Sequence, residues 1–133
     1  MTKELQQKMS EEIAKLPRYN QEAINSLDWG DISWKIGKKN LLTESEINDL
    51  QIETGLVLVG LSELDSFAIN IENNVGTATT ESEEIAKEIY DEIFKPMADK
   101  MEIMVKNKIK SQNPKWDQRV NFIISGGDYS NFL

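Results

Sequence analysis

The residue types that carry most metal and nucleophile chemistry are missing from this chain. It has no Cys and no His among its 133 residues. Thiolate and imidazole metal ligands, Cys–His pairs and Ser–His nucleophile systems are therefore excluded. Carboxylates, lysines and hydroxyls remain, and three spacings among the other residues invite a chemical reading.

Gly30-Asp-Ile-Ser-Trp-Lys-Ile-Gly37-Lys38 has the outline of a phosphate loop. It holds two residues too many between its glycines, Lys39 stands where a Ser or Thr would bind magnesium, and the stretch reads as helix rather than strand-to-helix loop. Asn70, Glu72, Asn74 and Glu81 fall at positions 1, 3, 5 and 12 of a calcium loop. Position 6, which needs glycine for the sharp turn, is Val75, and position 1 is Asn rather than Asp. The turn that ends a helix accounts for this stretch better. Met97, Met101 and Met104 could form an adaptable thioether face, but their spacing of four and three is that of a core stripe. The 23 acidic side chains serve solvation first, and none can be named as an acid/base pair. Ser–Lys or carboxylate chemistry stays open without a named residue. The reading is of no catalytic residue, no cofactor and no metal, in a protein that is not an enzyme.

The elements that would position any site read as helices. The chain suits one domain, able to bury roughly two thirds of the surface its unfolded form exposes. The hexapeptide Ser-Glu-Glu-Ile-Ala-Lys occurs at residues 10–15 and 82–87, yet the flanks do not align, so there is no tandem repeat. Both copies are expected to be solvent-facing helix. Leu5, Met9, Ile13 and Leu16 predict a first helix over about residues 2–16, ended by Pro17, which opens a second over about 18–27. Asp28 or Asp31 can cap a short third helix that carries Ile32 and Ile36, with Trp29 and Trp34 as anchors. Thr43 and Glu46 form a capping box for a fourth, with the stripe Ile47, Leu50, Thr54, Val57, Leu58 and Leu61. Because residues 55–61 are apolar on nearly every side, this helix is expected to be central and wrapped by the others. Ser62 with Asp65 is expected to begin a fifth helix, broken at Asn73-Asn74-Val75-Gly76. A capping box of Thr80 with Glu83 predicts the start of a sixth, bearing Ile85, Ile89 and Ile93. Pro96 then kinks or ends it, and a seventh segment continues to about Lys110.

The positions Ile36-Gly-Lys-Lys39, Leu50, Glu53-Thr-Gly-Leu-Val-Leu-Val-Gly-Leu61, Phe67, Ile85-Ala86, Ile89 and Ile93-Phe94-Lys-Pro96 resemble an uncharacterised family of small all-helical proteins from ultra-small uncultivated bacteria. The likeness covers a little under half of the chain, mostly at packing positions. It implies an all-helical fold and carries over no activity, cofactor or catalytic residue. The expected fold is all-α, a single compact bundle of six to seven helices over residues 1–111 with an extended apolar C-terminal tail over 112–133.

That tail carries the expected partner contacts: Trp116, Val120, Phe122, Ile124, Tyr129, Phe132 and Leu133. So many large apolar groups call for docking, on the body or on a neighbouring subunit. Charge is split along the chain. Residues 1–94 hold 8 basic and 19 acidic side chains, a net of −11, and residues 95–133 hold 7 and 4, a net of +3. This polarity favours head-to-tail contacts. The function expected is a non-enzymatic helical interaction or self-assembly module, with a protein partner or a homo-oligomer. The alternative is a helix-turn-helix-like nucleic-acid binder using Lys106, Lys108, Lys110, Lys115 and Arg119 beside Trp116, opposed by the acidic body, which repels phosphates. The first residues lack an apolar leader core, and residues 55–61 are too short a run to span a bilayer. A soluble cytoplasmic protein without membrane contact is expected.

Overall fold

In the computed structural model, which describes residues 2–112, the chain is all-α. Seven helices follow in order: α1 (Lys3–Ala14), α2 (Arg18–Asn25), α3 (Trp29–Lys39), α4 (Glu44–Leu58), α5 (Phe67–Asn74), α6 (Thr79–Ile89) and α7 (Lys95–Gln112). A 3-10 turn, Leu64–Ser66, leads into α5, and a π turn, Tyr90–Phe94, joins α6 to α7. Helix α4 packs against α3 and α5, α6 against α5 and α3, and α7 against α2. They form one compact bundle around Ile47, Leu50, Phe67, Ile71, Ile85, Ile89 and Ile93, all fully buried or nearly so. No helix among the described residues is long and apolar enough to cross a membrane.

Local chemistry explains several boundaries. Thr2 caps α1 by accepting from the Leu5 amide, and Asp28 caps α3 by accepting from the Asp31 amide. The capping box at α4 is complete: Thr43 Oγ1 accepts from the Glu46 amide at 3.2 Å, and Glu46 Oε1 accepts from the Thr43 amide at 2.8 Å. Several buried polar side chains are tied down within the bundle. Gly30 carbonyl accepts from both Ser33 Oγ and Gln51 Nε2, each at 3.0 Å, which locks α3 to α4. Buried Glu53 accepts from Asn74 Nδ2 at 2.8 Å and so ties α4 to the end of α5.

Four expectations are corrected. Thr80 does not cap α6: the N-cap is Ala78, two residues earlier, and it makes no side-chain cap. Thr79 Oγ1 donates to Glu72 Oε1 at 2.6 Å and ties the start of α6 to α5, which leaves Thr80 within the first turn rather than at the cap. The second hexapeptide copy is not a solvent-facing string, because Ser82 and Ile85 are buried. Burial of Ser82 is tolerated because its hydroxyl bonds Thr77 Oγ1 at 2.5 Å and the Ala78 carbonyl at 2.8 Å. Ser62 does not begin α5, which starts at Phe67 after the 3-10 turn. Finally, α4 is wrapped only along its first three turns. It ends at Leu58, where Gly60 (φ 80°) takes the left-handed conformation, and the Leu61 amide turns back to the Leu56 carbonyl at 2.9 Å. The helix stops in a Schellman motif and leaves Leu61 65% exposed instead of in the core.

Pro96 neither ends nor sharply breaks the helical run. The chain passes it through the π turn, in which the Lys95 amide reaches the Tyr90 carbonyl five residues back. Met97 and Met101 are buried and Met104 is half-buried, so the methionines are core. The glycine–lysine stretch at residues 30–38 lies inside α3, as the helix reading required.

Candidate interaction surface

Of the residues expected to meet a protein partner, Trp116, Val120, Phe122, Ile124, Tyr129, Phe132 and Leu133 all lie outside the described residues, and so do Lys115 and Arg119. The remaining cations of the nucleic-acid alternative lie on α7. Lys106 is half-buried, Lys108 is exposed, and Lys110 falls in the last turns. The Lys108 ammonium stands 5.3 Å from the centre of the Tyr19 ring on α2, a cation–π contact that helps pin α7 to α2. Among the described residues, no group of three or more acidic side chains could hold a metal ion. Asn74 and Glu72, candidates for a calcium loop, are engaged with Glu53 and Thr79 instead.

What the structure brings forward is a set of large apolar side chains that the bundle leaves in solvent: Leu41, Leu61, Ile69 and Ile103, each more than half exposed. Leu41 stands apart. It is 90% exposed and has φ 61°, the one non-glycine residue in the left-handed region among those described. Its place explains the conformation. Helix α3 closes in a Schellman motif, with the Leu41 amide on the Lys38 carbonyl at 3.1 Å and the Leu42 amide on the Gly37 carbonyl at 3.0 Å. That motif needs a left-handed residue at this point, a role glycine fills without strain and leucine fills at a cost of about 1–2 kcal/mol.

The turn that presents Leu41 is held from both sides. Asn40 Nδ2 donates to the Ile36 carbonyl at 2.8 Å and to Glu88 Oε1 on α6 at 3.3 Å, while Lys39 Nζ pairs with Glu88 Oε2 at 3.1 Å. On the other side Leu42 is buried in the core. Beside the turn, Thr2, Trp34, Glu44, Asn48 and Gln51 line an open cleft of about 260 Å³. Lys38 Nζ sits 4.7 Å from the centre of the Trp34 ring. Asn48 Oδ1 is buried without a hydrogen-bond partner among the described residues.

Sequence reasoning passed over Leu41. The signal available was a Leu-Leu pair directly ahead of a capping box, where only one leucine can turn inward. In comparisons with protein-family models, curated proteins and solved structures, the chain matches none.

Proposed function

We propose that this chain is a non-enzymatic, cytoplasmic helical module for protein interaction or self-assembly, with residues 112–133 as a connecting element. The observation that carries the reading is Leu41, a 90% exposed leucine kept in a strained conformation on a turn anchored by α6 and the core. An exposed leucine contributes nothing to folding, and the left-handed backbone there opposes it. A partner that covers it would offset both. Leu61, Ile69 and Ile103 add apolar contact area, and the tail supplies seven more candidate contact residues. The acidic body and basic end favour oriented association. Membership in the small helical family that residues 36–96 resemble belongs to the same proposal and implies no chemistry.

Light scattering on the full chain and on a version ending at Gln112 tests the self-assembly form. The mass of the full chain is expected to rise with concentration, and truncation is expected to reduce that rise. Equal monomeric masses for both at high concentration would remove self-assembly.

A further inference from the structure

We infer that the outer face of α4, at its C-terminal end, is the docking site of this chain's own segment Val120–Ile124, which lies outside the described residues. Ile47, Leu50 and Thr54 face the core, and at about 100° per residue Ile52 and Leu56 project from the opposite side of the helix. Both are half-buried and stand outside the core cluster. Leu61 extends the strip, because its amide bonds the Leu56 carbonyl and the side chains at those two positions of a Schellman motif meet. The neighbouring helices meet α4 elsewhere, α3 at Gln51 and α5 at Glu53. A surface helix turns polar residues outward, as α4 does earlier with Ser45 and Asp49, and this strip breaks that pattern.

The place where the chain leaves the bundle selects the occupant. Helix α1 runs beside α4 in the same direction, since Thr2 lies with Glu44 and Asn48 at one end and Met9 lies against Gly55 further along. The corner after α1, at Tyr19, is therefore at the Leu61 end, and Lys108 near the end of α7 stands over the Tyr19 ring. Residues 113–119 then span up to about 23–25 Å, roughly two helix diameters, which brings Val120 within reach of Leu61. Val120, Phe122 and Ile124 alternate, so an extended segment offers three apolar side chains to three. Lys115 and Arg119 complement Asp49, Glu63 and Asp65, which border the strip. The tether gives the segment an effective concentration of about millimolar, which favours its own body over a second copy. The connecting role then falls to Tyr129, Phe132 and Leu133, beyond the docked segment. This contact is separate from Leu41, so its failure leaves the interaction reading at that turn standing.

Two changes test strip and segment in the full chain. Phe122→Ala removes an anchor of the segment, and Leu56→Ser with Leu61→Ser makes the strip polar while sparing the core cluster. Urea denaturation is read for the parent, each variant and their combination at several protein concentrations. Phe122→Ala is expected to lower the midpoint of the parent, and to lower that of the strip variant by about half as much or less, because residues in contact do not act additively. The shifts are expected to be the same at every concentration. Full additivity overturns the contact, as does a midpoint indifferent to Phe122→Ala. A shift that changes with concentration seats the segment on a second copy and overturns docking within one chain. Position is read separately, since the chain has no Cys of its own. Leu61→Cys with Phe122→Cys is expected to close a disulfide within one chain under mild oxidation, whereas linkage only between chains overturns the proposal.

Discussion

At Gly37 a single hydrogen atom decides how closely α3 and α4 approach. A Cβ added there would lie 2.5 Å from Cγ1 of Ile47, which is fully buried and has no room to retreat. Replacing a helical glycine by alanine ordinarily gains about 1 kcal/mol, but overpacking a filled core costs about 1–3. The second effect wins here, so Gly37→Ala is expected to lose up to about 2 kcal/mol in urea denaturation. Gly55→Ala is the control. Its Cβ would meet the thioether end of Met9, which can swing aside, so that variant should be neutral or slightly stabilised. Equal losses in both variants would show that helix spacing at Gly37 is not the cause. At this scale the sequence was legible wherever a residue acts on its own neighbours. Asp28, Thr43 and Glu46 cap as their spacing predicts. Legibility failed where a partner outside the helix takes part: Thr79 bonds Glu72 on α5 and the helix opens ahead of Thr80, while Ser82 turns inward to Thr77 in the preceding connection. Leu41 was missed because the Leu41-Leu42 pair ahead of the capping box does not itself tell which leucine turns inward and which takes the left-handed position.

The π turn joining α6 to α7 shows two element-level causes acting together. Ile85, Ile89, Ile93, Met97, Met101 and Val105 are all buried and spaced by four. At about 100° per residue each step of four overshoots a full turn by about 40°, so the stripe would wind roughly 200° around a straight helix. One extra residue in a π turn takes back roughly 100°. Pro96 meanwhile lacks an amide hydrogen and crowds the carbonyl four residues before it, which also disfavours regular α-helix here. If the stripe is the stronger cause, Pro96→Ala keeps the turn, and the melting temperature should move by only a few degrees. Deletion of Asp91 removes the one residue the turn absorbs, so it is expected to give regular α-helix with Met97, Met101 and Val105 still facing the core, its cost falling on Pro96, whose ring then crowds the preceding turn. A gain above about 3 kcal/mol in Pro96→Ala, the usual relief on removing an interior proline, would instead make the proline the sole cause. The stripes themselves were readable in the residues, since burial follows helical spacing in α5, α6 and α7. The end of α4 was not, because residues 55–61 are apolar all round and give no direction. There the left-handed Gly60, rather than hydrophobicity, ends the helix and puts Leu61 into solvent.

On the scale of the whole molecule, the bundle accounts for residues 2–112, and the question passes to what the remaining apolar groups rest against. Val120, Phe122, Ile124, Phe132 and Leu133 each stabilise by roughly 1.5–3 kcal/mol when fully buried, before the cost of ordering the segment. Ordering costs about 1–2 kcal/mol per fixed residue, so docking is favoured only where these side chains are buried together over a short stretch, and the receiving surface would be this chain's own body or that of a second copy. Phe122→Ala together with Phe132→Ala separates the two. If docking is within the chain, the double variant melts lower by the same amount at every protein concentration. If it is between chains, the parent's melting temperature rises with concentration and the variant's does not, because only contacts between subunits obey mass action. This arm is independent of the corner at Leu41. A dimer that survives the tail substitutions but not Leu41→Gly places association on the α3–α4 corner. Loss of the dimer in the tail variant alone gives the tail the role of the connecting element. A double variant that melts and sediments like the parent would make the tail a passive appendage and leave the corner as the molecule's candidate interface.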